Sequence, residues 1–408
     1  MARTTGNPRL RAARTAAGYR SQQELVEALA RVGVTVGLKQ IQRWESDTPP
    51  WPYPDARQAL QQLLGMDMEA LGFTPPTGVV EPGPPPGYLA PPNRSAVRTS
   101  STMQPPATAA EYMAVTRSHR RLYWNVAPAT LHPAVTAHAD LGEALLPATA
   151  GNTRQALAGA LAETHLLAGR IEFFDQQVHP RAHDTWVRAL QAAGEADDPL
   201  MGSAVLAHMA FGPGWAGDQP AAAERMIAAR TYARRAPASP EFLAWLDAVE
   251  AECETRCGNT RTALNLLAHG EDVLTAGGPH ANPEWMDWFT PVRLQAFKGN
   301  TQLAAGHLPQ ARETLLRVLE DLPADAEKQR TVILGDLGAV EAAAGNPEAA
   351  AEYASRALGV LERHWYATGM ERIRDVRRAL TPWQHEHYVR DLDDRLYGWG
   401  PVVSALAS

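Results

Sequence analysis

The sequence predicts an all-α protein built as a small helical head, a Pro-rich linker and a long body of repeated helix pairs. Three observations carry this. Apolar residues recur at helical spacing through residues 7–73. Residues 74–107 lose that patterning and are rich in Pro and Gly. From about Thr108 onwards Ala, Leu, Glu and Arg dominate, and no stretch shows convincing period-two alternation. A chain of 408 residues accommodates two or three domains. The reading divides it into a head over 1–73, a linker over 74–107 and a body over 108–408.

In the head, a first helix is expected over Asn7–Ala17, stopped by Gly18. Ser21 then offers an N-cap hydroxyl to an early backbone N–H. Leu25, Ala28, Leu29 and Val32 follow at i, i+3, i+4 and i+7, the stripe of a helix packed by one face. After a turn containing Gly33, a short helix starts from about Gly37. Its Leu38, Ile41 and Trp44 sit three apart, which leaves Lys39, Gln40, Gln42 and Arg43 outside. Cationic and amide groups on the open face of a short helix suit the DNA major groove, where Arg and Lys pair with guanine edges and Gln with adenine. A Pro-rich turn leads into a fourth helix with Ala59, Leu60, Leu63 and Leu64 inward, and a short final element ends near Phe73.

Charge points the same way. Residues 1–43 hold eight basic side chains (Arg3, Arg9, Arg11, Arg14, Arg20, Arg31, Lys39 and Arg43) against two acids, Glu24 and Glu27. That is a balance of +6 in a chain whose net charge is −7. A basic head on an acidic body is the footprint of a DNA-binding module joined to a domain that does not bind DNA.

Residues 7–73 resemble the helix-turn-helix domain of the Cro/CI-type (XRE) repressors. The resemblance rests on the opening Ser21, Gln22, Glu24, Leu25 and on the ending Gln40, Ile41, Arg43, Trp44, Glu45. It implies that Gln22 grips a phosphate from the start of the second helix. It implies that Leu38, Lys39 and Arg43 face base edges, with Gln40 and Gln42 flanking them. It also implies an internal ion pair between Arg14 and Glu45, with Trp44 in the core. One departure is plain: Ser21 to Trp44 spans about five residues more than the short turn of such motifs requires, so the Arg31–Thr35 segment is expected to bulge.

In the body, residues 299–323 resemble a tetratricopeptide (TPR) repeat. Gly299 stands as the small residue of the first helix, Gly306 ends it, and Ala311, Leu315 and Val318 face inward from the second. The pattern returns at Gly338, Gly345, Ala350, Ala354 and Ala357, with weaker copies at Cys257–Leu267, 201–230 and 154–190. The fold expected is a TPR-like α-solenoid in which stacked units bury a continuous core.

No phosphate-binding Gly loop, HExxH or nucleophile elbow occurs, so no enzyme, cofactor or metal is expected. His179 with His183, and His385 with His387, read as exposed or capping residues without further ligands. Cys253 and Cys257 read as small buried residues. The N-terminus carries no apolar leader and no run is long enough to cross a bilayer, so the expectation is a cytoplasmic protein away from membranes. Only Lys39, Lys298 and Lys328 are lysines among 38 basic residues, a bias that suggests a high-GC bacterial source.

The segment PEWMDWFTPVR gathers Trp285, Trp288 and Phe289 ahead of the best-formed repeat, whose first helix brings Arg293 and Asn300. In tetratricopeptide proteins that helix lines the concave groove. Trp285, Trp288, Arg293 and Asn300 are therefore candidate ligand contacts, although aromatic residues at helical spacing more often pack between repeats. Together these readings imply a transcriptional regulator that binds double-stranded DNA as a homodimer and answers to a peptide, small-molecule or protein effector. The alternative is a protein-interaction scaffold whose helix-turn-helix makes protein contacts.

Overall fold

The computed structural model describes residues 6–74 and 103–407, with side chains as far as Trp399. Among the described residues every regular element is helical. The chain divides into two compact units, Met1–Val97 and Arg98–Ser408. The expected linker over 74–107 falls largely on residues 75–102, outside the described residues.

Among its described residues the first unit has four helices. In α1 (Pro8–Ala16) the Asn7 side chain accepts a hydrogen bond from Leu10 N, and Pro8 takes the first position, where no N–H is needed. In α2 (Gln22–Arg31) Ser21 Oγ accepts from Glu24 N at 3.2 Å. Leu25, Ala28 and Leu29 are buried, but Val32 is 37% exposed at the helix end, so the inward stripe stops one turn earlier than its spacing suggests. Gly33, at φ +85°, turns the chain so that Val34 N reaches Leu29 O at 2.9 Å. Val34 and Val36 then pack on the core of this unit. The extra residues between α2 and α3 (Leu38–Trp44) are therefore anchored by apolar contacts.

Ile41 and Trp44 carry α3 into the core, whereas Leu38 stays 40% exposed. In α4 (Pro54–Leu64) Ala56, Ala59, Leu60 and Leu64 are buried and Leu63 is partly so. Met68, Leu71 and Phe73 complete the core, with Phe73 edge-on to Trp44 at 6.4 Å. Asn7, itself buried, donates to Trp44 O at 3.2 Å and to Leu71 O at 2.9 Å. It thereby ties the start of the unit to the end of α3 and to the closing segment.

The second unit runs α5 (Ala107–Leu122), α6 (Pro128–Leu145), α7 (Gly151–Arg170), α8 (His179–Glu195), α9 (Pro199–Trp215), α10 (Gln219–Ala233), α11 (Pro240–Arg256), α12 (Thr260–Ala276), α13 (Pro291–Ala304), α14 (Leu308–Asp321), α15 (Glu327–Ala343), α16 (Pro347–Leu361), α17 (Ala367–Ala379) and α18 (His387–Ala407). From α7 to α16 each odd-numbered helix packs on the even-numbered helix that follows it, and the odd helices pack on one another as an inner row. Sequence pattern accounts for the two layers. Outer α14 buries only Ala311, Leu315 and Val318, a single stripe, while inner α9 is buried continuously from Met201 to Phe211. A helix apolar on every side needs neighbours on every side. Close approach within a pair needs small residues: a Cβ on Gly299 of α13 would stand 2.6 Å from the Leu315 side chain of α14.

The inner row curls until its far end meets its beginning. A π-helical turn over Ile171–Asp175 closes α7, and α17 packs against it. Thr368 Oγ1 donates to Phe174 O at 3.0 Å, and Lys328 Nζ, at the start of α15, donates to Asp175 Oδ1 at 2.7 Å. A plain solenoid, in which units touch only their neighbours, has no such contacts. The row curls in this way around a cavity that keeps a mouth open to solvent.

Candidate nucleic-acid interface and body cavity

In the first unit α3 is fixed from behind. Arg14 Nε donates to Glu45 Oε1 at 2.7 Å, Gln22 Nε2 donates to Glu45 Oε2 at 2.8 Å, and Arg11 Nε lies 3.6 Å from the same carboxylate. Arg14 also donates to Tyr19 O at 2.8 Å. Burial disfavours the Glu45 charge, but the bonds from Arg14 and Gln22 and the charges of Arg14 and Arg11 outweigh it and hold the carboxyl below its ordinary range. This cluster joins α1, the start of α2 and the end of α3.

The outer face of α3 presents Leu38, Lys39, Gln42 and Arg43, all exposed, with Gln40 half-buried beside them. Neither Lys39 nor Arg43 forms an ion pair or side-chain hydrogen bond among the described residues. Gln22, which the resemblance gives to a phosphate, is half-buried and turned to Glu45, so here its amide serves the internal cluster.

In the second unit the inner helices surround a cavity of about 1010 Å³, including its mouth open to solvent. Nine aromatic rings line it, among them Tyr123, Trp215, Trp245, Trp288 and Tyr366, together with Arg170, Arg256, Arg293, Lys328 and Arg372. Three of the four residues singled out in the PEWMDWFTPVR region and its following helix meet here: Trp288, Arg293 and Asn300. Trp285 does not. It stands edge-on to Phe242 at 6.0 Å and lines a smaller neighbouring recess.

One wall is a charge network. Arg256 Nε donates to Glu252 Oε1 at 2.8 Å, and Asn300 Nδ2 donates to Glu252 Oε2 at 3.0 Å. Arg372 lies 3.9 Å from Glu252 and 3.3 Å from Asp336. Arg256 also covers the Trp215 ring at 4.0 Å. Burial pushes Asp336 up to about 6 despite Arg372. The other wall is cation over ring: Arg170 lies 4.4 Å from the Trp288 centroid and 5.2 Å from that of Tyr123, and Lys328 is 3.7 Å from Tyr123. His208 also lines the cavity. It is buried, its Nδ1 pairs with Ala204 O at 2.8 Å, and burial together with Arg170 pulls it down to about 3, so the ring is neutral at physiological pH.

No protein-family model matches this chain, and no curated protein matches it.

Sequence reasoning missed Arg170, Lys328 and Arg372, because each comes from a different helix and no local spacing joins them. The available signal was a charge set inside an otherwise apolar helix, as in LLAGRIEFF around Arg170. Of the histidine pairs, His179 stacks on Phe173 at 4.4 Å and His183 is exposed. Among the described residues no group of three or more His, Cys, Asp or Glu side chains is placed to hold a metal. Cys253 is buried, Cys257 is half-buried, and both thiols are free. No described helix is long and apolar enough to cross a membrane.

Proposed function

We propose that this protein is a sequence-specific, double-stranded-DNA-binding transcriptional regulator of the Cro/CI type. Its helical body is read as a tetratricopeptide-like sensor and dimerisation domain. The observation that carries this is α3: its inner side is locked by Ile41, Trp44 and the Arg14–Glu45–Gln22 cluster, while Lys39, Gln42 and Arg43 stand exposed on the other. A rigid short helix with unpaired donors on its open face is what reading base edges requires. The basic balance of residues 1–43 adds the electrostatic component of DNA affinity, which weakens as salt rises.

Selection of bound oligonucleotides by the full chain tests the reading. Enrichment of a defined motif, with affinity falling steeply as salt rises, is the expected result. Retention of no sequence class above background removes the regulator reading and leaves the scaffold alternative.

A further inference from the structure

The body cavity carries more positive charge than its own acids answer. Arg170, Arg256, Arg293, Lys328 and Arg372 line it. Their carboxylate partners are Glu252 and Asp336, shared between Arg256 and Arg372, and Asp175, bonded to Lys328. That leaves Arg170 and Arg293. Arg170 is 9% exposed, and its Nε has no hydrogen-bond partner. Asp175, whose charge it feels, is already held by Lys328. Arg293 forms no ion pair and no side-chain hydrogen bond among the described residues. Both guanidinium groups approach the Trp288 ring, at 4.4 and 6.0 Å, and burial together with the Arg170 charge lowers Arg293 from its ordinary value. A buried cation without an acceptor, as Arg170 is, is costly, and the half-buried Arg293 near the same ring adds a second positive charge.

We propose that this cavity binds a small organic carboxylate with an aromatic or other flat apolar body, its charged end held between Arg170 and Arg293. The guanidinium fork donates two parallel bonds to a carboxylate, whereas a neutral group accepts fewer. The tryptophan, tyrosine and phenylalanine walls fit the rest of such a molecule and disfavour a small hydrated anion, which would leave the rings without a partner. The proposal deepens the sensor reading by naming the effector's chemistry, and it rests on that reading only for its regulatory consequence. A free aromatic acid and the C-terminus of an apolar peptide share this chemistry.

Calorimetric titration of the full chain tests it, using 2-naphthoate against 2-naphthamide, and the tripeptide Phe-Ala-Phe with a free against an amidated C-terminus. The expected result is that at least one acid binds tighter than its amide by about tenfold or more. That preference should fall to near parity in Arg170→Gln and Arg293→Gln and persist in Arg317→Gln, a change on the exposed face of α14. The acid with the larger preference identifies the source. If Arg170→Gln does not fold, Arg293→Gln and the acid-to-amide ratio of the unaltered chain still decide. Equal binding of acids and amides, or a preference that survives Arg293→Gln, overturns the proposal. DNA binding measured on the same preparation keeps the two readings separate: acid discrimination lost with DNA binding intact removes the cavity site alone.

Discussion

Glu45→Gln removes a single charge from the cluster behind α3, and its cost is set by what Arg14 keeps. Both side chains are almost wholly buried, with the guanidinium 2.7 Å from the carboxylate. Breaking such a pair by neutralising one partner costs about 3–5 kcal/mol, because the other charge stays buried. Arg14 retains its bond to Tyr19 O, which places the expected loss at the lower end, about 3 kcal/mol. For a domain of this size each kcal/mol lowers the melting temperature by about 4–8 °C, so the melt of residues 1–97 is expected to drop by about 12 °C or more. Differential scanning calorimetry of residues 1–97, which have their own core, reads this directly. The pH dependence supplies a second check. Glu45 is held below its unfolded value, so its contribution is present above about pH 4 and is lost as pH falls through the folded value. The gap between the variant and the unaltered head is therefore expected to close in acid. An unchanged melt at neutral pH, or a gap that widens in acid, refutes the assignment of the ion pair as the anchor of α3.

Arg43→Ala is expected to cost about 1–3 kcal/mol of DNA affinity and to relax preference at one base position, read as a changed logo in oligonucleotide selection. An identical logo removes Arg43 from base recognition. Because one small head offers few base contacts, the full chain is expected to be a dimer on a two-fold-related operator, with light scattering of the complex as the measure; a monomer on one asymmetric half-site contradicts it. Gly299→Ala drives a methyl group into Leu315 and is expected to destabilise the body by about 1–2 kcal/mol in denaturant unfolding, despite the better helix propensity of Ala. His208 lies far below its unfolded value, so the folded body binds fewer protons there and loses stability as pH drops below about 6.5, by about 2 kcal/mol at pH 5. Asp336 acts in the opposite sense as pH falls through about 6, while His138 and His165, both held at about 4, act in the same sense as His208, so His208→Phe is expected to lessen the fall in melting temperature between pH 7 and 5 without abolishing it.

The all-helical fold and most of the first unit were legible because local rules decide them. Ser21 caps α2 as its type and position suggest, and Ile41 and Trp44 bury at their spacing. Val32 and Leu38 follow the same spacing yet stay exposed, since each sits at a helix end beyond the reach of the core. In the cavity the sequence yielded Trp288, Arg293 and Asn300, which lie within one helix and its lead-in. Trp285, three residues before Trp288, turns to Phe242 instead. Arg170, Lys328 and Tyr366 come together only through the curl of the inner row. No window of neighbouring residues records that curl, which is set by the summed tilt of successive helix pairs.

The contacts that close the ring, Lys328 with Asp175 and Thr368 with Phe174, join residues 153 and 194 positions apart. A stack of local helix pairs has low contact order and folds one unit at a time, and its end units fray independently of its middle. Closing the stack couples α7 to α15 and α17, so the terminal units open together or not at all. Hydrogen exchange in the second unit would then report a single cooperative block spanning α7 to α17 in place of a gradient from ends to centre.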